Sequence, residues 1–479
     1  MLELNHKVIR ATKWSSITEI VAKLITPITS IILARLLTPE AFGVVATLTM
    51  VISFAEIFAD AGFQKYLIQH EFIDDVDREQ SINVAFWSNL TMSLLIWLII
   101  SVFADSLAKL VGNPGLGHVL IIACISIPLA AFSSIQMALY KRSFDFKTLF
   151  KVRLISISVP LLVTIPLAYY LRSYWALVIG TIVSNLVNAL LLTIYSKWKP
   201  KLYFSFGKLK EMFSFSAWSV FEAISIWLTG YVDIFIVGVY LNEYYLGLYK
   251  TSMTVVGQIM GLITAATTPI LFSSLSRLQT DESAFEELFF KFQTLVGLLV
   301  IPIGVGIYCY SDFITEILLG NQWLEASSFI GLWGLTSAIT IVLSHYSSEV
   351  YRAKGRPKLS VLAQVLHLIV LLPAVMIAVK YGFEILSTVR ALVRLEIILV
   401  NLVIMHIVIK ISPRKMFKNI FKPIIASFIM GLCAYLLKDI YSSNLWSAIS
   451  IVICVLIYFS IILTNPSYRN LLSSLFYKK

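Results

Sequence analysis

Fourteen apolar stretches of about twenty residues each set the limits on what this chain can become. A membrane-spanning helix needs ~20 mostly apolar residues. The stretches lie near 14–37, 41–64, 81–104, 117–140, 152–171, 174–195, 214–241, 244–272, 290–311, 325–347, 359–379, 384–409, 419–438 and 445–464. Composition points the same way. Hydrophobic residues make up 58% and charged residues 14%, where a soluble domain carries ~45–50% and ~25%. Mean hydropathy is +0.84. A soluble enzyme, a disordered chain and a nucleic-acid binder are excluded. The expected fold class is an all-α integral membrane protein of about 14 transmembrane helices. The first stretch is too long for a signal-peptide core and no small-residue cleavage site follows it, so it is expected to stay as an anchor. Loops on both sides are short and leave no room for a soluble domain.

Lysine and arginine give the direction, because cytoplasmic loops carry their excess. With the N-terminus inside, the alternate loops hold 29 of the 38 basic residues; the opposite side holds Arg35, Lys109, Arg172, Lys380 and Lys438. The remaining four, Lys23, Lys250, Arg390 and Arg394, fall inside spans. This alternation predicts both termini inside, and it makes the net charge of +11 a signal of topology. The four cysteines (Cys124, Cys309, Cys433, Cys454) lie in apolar runs without CxxC spacing and read as buried thiols.

The chain also repeats itself. Shifted by 204 residues, Trp14-Ser15 falls on Trp218-Ser219, Ile20 on Ile224, Leu37 on Leu241, Gly43 on Gly247, Thr47 on Thr251 and Val51 on Val255. Both units start on the inside, which predicts two parallel six-span halves related by an axis along the membrane normal. The expected organisation is an N-lobe over 1–207, a C-lobe over 208–412, and two extra spans with a tail over 413–479. Paired repeats imply a central cavity and alternating access, the logic of a transporter.

Three segments carry a family resemblance. The first is Ala34-Arg35-Leu36-Leu37-Thr38-Pro39-Glu40-Ala41-Phe42-Gly43, followed by Phe58-Ala59-Asp60-Ala61-Gly62-Phe63. The second is Val232-Asp233-Ile234-Phe235-Ile236-Val237-Gly238, leading to Leu246-Gly247-Leu248-Tyr249. The third is Pro269-Ile270-Leu271-Phe272 with Ser274-Leu275-Ser276-Arg277-Leu278. Together with weaker echoes at Gly320-Asn321-Gln322-Trp323 and Lys354-Gly355-Arg356-Pro357, these resemble the polysaccharide transport branch of the MOP flippase superfamily. The resemblance implies a Wzx-type flippase in the bacterial cytoplasmic (inner) membrane. Such proteins move undecaprenyl-diphosphate-linked oligosaccharides from the cytoplasmic to the periplasmic leaflet, for O-antigen, lipopolysaccharide, capsule or exopolysaccharide. It also implies two six-helix lobes in a V plus two C-terminal helices. Its expected surroundings are membrane lipids and the polysaccharide polymerase and chain-length machinery, with the chain itself a monomer. No cofactor, metal or nucleic acid is expected.

Charges within spans are the candidate site residues, since an ionisable side chain at mid-bilayer costs ~2.5–3.5 kcal/mol on insertion scales. Glu19 and Lys23 share a helix face; they either neutralise each other or leave Lys23 for a lipid diphosphate. Glu56 and Asp60 lie four apart with no cation on the same stretch, so one can hold a proton and couple transport to an ion gradient. Alternatively, Asp60 caps its helix or meets Lys65. Asp233 and Lys250 are symmetric about a turn near Leu241-Asn242 and predict an ion pair, structural or gating. Arg390 and Arg394 share a face of the twelfth span, and Arg suits diphosphate oxygens; the other reading is inter-helix pairing. Glu222 is a lone acid expected to pair with a neighbour. Trp227 and Tyr231 could stack on sugars.

Other motifs fail. Asp74-Asp75-Val76-Asp77 is an isolated acidic run that reads as a solvated inner loop. His345 and Glu349 lack a third zinc ligand. Neither GxxxxGK[ST] nor GxSxG occurs. The function that the family resemblance implies is flipping of lipid-linked oligosaccharide, not enzymatic catalysis. The alternatives are a cation-coupled multidrug-type exporter of the same superfamily, whose cavity should be acidic, and a membrane glycan polymerase.

Overall fold

The computed structural model describes residues 2–466, 468 and 469, and describes side chains for all of these except residues 2–13, 16, 214–219, 221 and 222. Regular structure among the described residues is helical throughout. Fourteen helical segments among the described residues are long and apolar enough to cross a membrane. In chain order, spans 1 to 7 are Ile17–Leu36, Pro39–Asp60, Asp75–Val102, Gly117–Arg142, Phe146–Leu171, Tyr174–Tyr195 and Ala223–Tyr240. Spans 8 to 14 are Glu243–Arg277, Glu282–Cys309, Asn321–Ala353, Lys358–Tyr381, Phe383–Ile409, Pro413–Lys438 and Asn444–Leu463. Each coincides with one of the apolar stretches expected from sequence, and the protein is a multi-pass membrane protein. Helices are the necessary form here, because lipid offers no partner to an unpaired backbone group.

Local chemistry sets the helix ends. Pro39 opens span 2, where its missing N–H costs nothing. Asp74 caps span 3 by accepting from the Asp77 amide at 2.6 Å. The acidic run is therefore a cap, and its Asp77 carboxylate also pairs with Lys208. Further N-caps are Asp145, Asp281 and Ser443. Span 2 ends in a left-handed bend at Ala61 and Gly62 (φ 43° and 80°). A short helix, Phe63–Gln69, follows. Its Tyr66 hydroxyl donates to Glu211 at 3.0 Å. Burial, then that carboxylate, pushes the Tyr66 phenol above its usual range. Lys201–Glu79 at 2.6 Å completes the strap that ties the basic linker to this turn.

The chain divides into two compact units, Met1–Lys250 and Thr251–Lys479. In the first, span 4 packs on spans 3 and 6, span 5 on spans 1 and 6, and the helix Phe206–Tyr240 on span 2. In the second, span 9 packs on spans 10 and 13, span 12 on spans 10 and 11, and span 14 on span 13. Among the described residues three segments have π geometry: Pro160–Thr164, Ile341–His345 and Met405–Ile409. All four cysteines are free.

Two glycines permit a backbone crossing in the first unit. A Cβ on Gly43 would overlap the Glu243 carbonyl, and a Cβ on Gly247 would overlap the Pro39 carbonyl. Pro39 and Glu243 are themselves 204 residues apart, so the contact obeys the internal repeat.

Candidate functional site

Spans 1, 4, 5 and 6 enclose a cavity of about 710 Å³ within the first unit, inside the ~300–1,000 Å³ range of small-molecule sites. Each wall is a stripe at helical spacing. Span 1 contributes Thr26, Thr29, Ser30 and Leu33, and span 6 contributes Leu177, Gly180, Ser184 and Asn188. Fourteen of the twenty-five lining residues carry a hydroxyl, amide or charge, set among apolar side chains such as Leu33, Met137, Leu149 and Ile157, so the wall is mixed. Three are charged: Glu19, Lys141 and Arg153. Alternating helix direction brings the start of span 1, the end of span 4 and the start of span 5 to the same end, so the charges gather there. Glu19 and Arg153 are exposed and Lys141 is half-buried. Toward the other end Thr164, in the π segment of span 5, packs on Gly180.

Sequence reasoning named only Glu19 in this cavity. The overlooked signal was the spacing of Ser15, Thr18, Thr26, Thr29 and Ser30, a polar face on an apolar helix. Thr18 and Thr29 partly mask it by donating to carbonyls one turn back, at 2.8 and 3.1 Å, as Thr181 does on span 6 at 2.9 Å.

The other expected residues fall into three groups. Lys23 is half-buried one turn beyond Glu19. Glu56 and Asp60 lie within Coulombic range of each other, and Asp60 within range of Lys141. The acids of span 2 thus adjoin the charged end of the cavity. Asp60 also sits beside Gln64 and Gly62 at the bend after span 2, with its Oδ1 buried. Asp233 is buried at 1% exposure and accepts from the Tyr249 hydroxyl at 2.9 Å. Lys250 lies within Coulombic range of Asp233 and 5.3 Å from the Tyr231 ring. Tyr231 stacks on Trp227 at 5.5 Å, and Trp227 donates to Ser53 at 3.0 Å. The Glu222 side chain lies outside the described residues.

In the second unit, Arg390 and Arg394 converge on one ring: their guanidinium carbons stand 4.9 and 4.0 Å from the centroid of Trp333. Arg394 also donates to Ser337 at 2.5 Å. Glu396 is engaged by His367, Oε2 to Nδ1 at 2.8 Å. Sequence reasoning missed Trp333 and His367, because an aromatic and a lone histidine in apolar runs carry no spacing signal. Glu349 pairs with Arg352 at 2.7 Å, and His345 lies 3.4 Å from Thr268. No group of three or more candidate metal ligands occurs among the described residues.

Comparison with known proteins follows these lines. The succinoglycan biosynthesis transport protein ExoT of Rhizobium meliloti is 26% identical over 87% of this chain and 84% of its own. The teichuronic acid biosynthesis protein TuaB of Bacillus subtilis is 22% identical over 91% and 90%. Among solved structures, the lipid II flippase MurJ in an inward closed conformation superposes with a TM-score of 0.77 at 16% identity, covering 95% of this chain and 99% of that one. It shares the fold. The family described as "Polysaccharide biosynthesis protein" matches residues 32–328. With more than half of its length matched, the chain belongs to that polysaccharide biosynthesis family.

Proposed function

We propose that this protein is a flippase that carries lipid-diphosphate-linked oligosaccharide units across the bacterial cytoplasmic membrane by alternating access. The observation that carries the reading is a cavity of mixed lining, with Lys141 and Arg153 at one end, inside a multi-pass helical bundle. Family membership and relatives named for succinoglycan transport and teichuronic acid synthesis support it. In this reading both termini are cytoplasmic, the sequence repeats move as lobes, and the chain works as a monomer beside polymerase and chain-length machinery without catalysing a reaction. Lys23, Lys250, Arg390 and Arg394 meet the anionic lipid head during passage. Glu56 and Asp60, next to Lys141, are the candidates for coupling to an ion gradient, while Glu19, Glu222 and Asp233 serve gating.

The test is deletion of the gene in its host, with lipid-linked glycan extracted and its accessibility to periplasmic enzymes measured. A complete, inaccessible repeat unit that accumulates while surface polymer is lost establishes flipping. Unchanged glycan and polymer overturn it and point to small-molecule export. Accessible single repeats without polymer overturn it in favour of a polymerase.

A further inference from the structure

We propose that the cavity of spans 1, 4, 5 and 6 is a carbohydrate subsite, holding the first sugar of the glycan with the diphosphate at its charged end; this deepens the flippase reading and rests on it. Beyond Glu19, Lys141 and Arg153 the lining is uncharged. A sugar presents hydroxyls that both donate and accept. Asn185 and Asn188 offer both roles on one side chain, and serine and threonine hydroxyls rotate to suit. Ser133 lies 3.5 Å from the Asn188 amide nitrogen and helps set its orientation. From Arg153 to Thr164 the wall runs about 16 Å at ~1.5 Å per residue, longer than one pyranose ring.

The charged end matches the other half of the ligand. A lysine offers a point charge and an arginine a planar fork to phosphate oxygens. Within the lining Lys141 and Arg153 outnumber Glu19, and Asp60, within range of Lys141, is not itself a lining residue, so an anionic group entering the cavity meets two cations and one acid. A cationic drug would require the reverse, and Glu19 is the single acid in the lining.

The test uses full-length protein in lipid nanodiscs and two probes: undecaprenyl diphosphate alone, and the lipid-linked glycan extracted from the gene-deleted host. Wild type is expected to bind the glycan-bearing lipid about tenfold tighter, the size of one good polar contact. In Asn185→Leu/Asn188→Leu that ratio falls toward one. In Lys141→Ala/Arg153→Ala both affinities drop about tenfold and the ratio is kept. Thermal unfolding confirms folded variants, and Asn188→Ala alone, with the same expected fall, replaces a double variant that does not fold. A ratio unchanged in a folded asparagine variant overturns the sugar assignment. Affinities unchanged in Lys141→Ala/Arg153→Ala overturn the diphosphate assignment. Both results leave the flippase reading standing. Failure of wild type to bind either probe removes that reading and the subsite with it.

Discussion

Gly43 and Gly247 make one contact twice: each lies against the opening residue of the other's helix, Gly43 on Glu243 and Gly247 on Pro39. Both obstacles to a side chain are backbone carbonyls, which cannot rotate aside. Gly43→Ala and Gly247→Ala should therefore each destabilise by roughly 1–3 kcal/mol, the usual effect of overpacking, and by similar amounts. Thermal unfolding of the purified protein reads this. Two variants that melt with wild type would show that the helices part without cost.

The two arginines of span 12 share the Trp333 ring, so their energies are coupled. A double-mutant cycle of Arg394→Ala and Trp333→Leu should return a coupling of roughly 0.5–2 kcal/mol, as for a desolvated cation–π contact. Arg394→Lys should keep the charge and lose part of the stability, since a point charge does not stack as a plane does. Additive single effects would mean that the ring and Arg394 are mere neighbours.

His367 and Glu396 face each other with 9% and 22% side-chain exposure. Removing one partner leaves the other with a buried, unanswered polar group. His367→Leu or Glu396→Leu alone should cost on the order of 3 kcal/mol, whereas the double replacement should come close to wild type. Chemical or thermal unfolding of the three variants decides it. A double variant worse than either single would contradict the pairing.

Orientation has its own experiment. Single cysteines in a chain lacking the four native thiols, placed within 197–210 and within 105–116, should label from opposite sides of intact cells. The first set is expected to be shielded from a membrane-impermeant maleimide and the second reactive. The reverse pattern would invert the proposed topology.

The fourteen spans were legible because twenty apolar residues in a row leave one choice in lipid. Gly43 and Gly247, which a shift of 204 residues matches, stood out in the sequence, and the structure puts them in mutual contact. The candidate site was far less so. Charges within spans stand out in a sequence, yet the uncharged polar part of the cavity wall is built of serine, threonine and asparagine. Hydropathy scarcely registers these, and several satisfy themselves along their own helix. What Trp333 and His367 do depends on which helices become neighbours, and no property of the single segment encodes that.

The π segment Pro160–Thr164 has a consequence for how span 5 could vary. Each residue of an α-helix advances the side-chain direction by about 100°. A wide turn absorbs one surplus residue and sets the phase between the two ends of the helix. Deleting one residue there would restore a regular helix and leave Ile165–Leu171 at nearly the same heading relative to Phe146–Val159. Deleting one residue from the regular turns on either side, with the wide turn kept, would instead swing the far end of the wall by about 100° while the charged end kept its heading. The wide turn thus marks a place in span 5 where a missing codon would leave both halves of the cavity facing the same way.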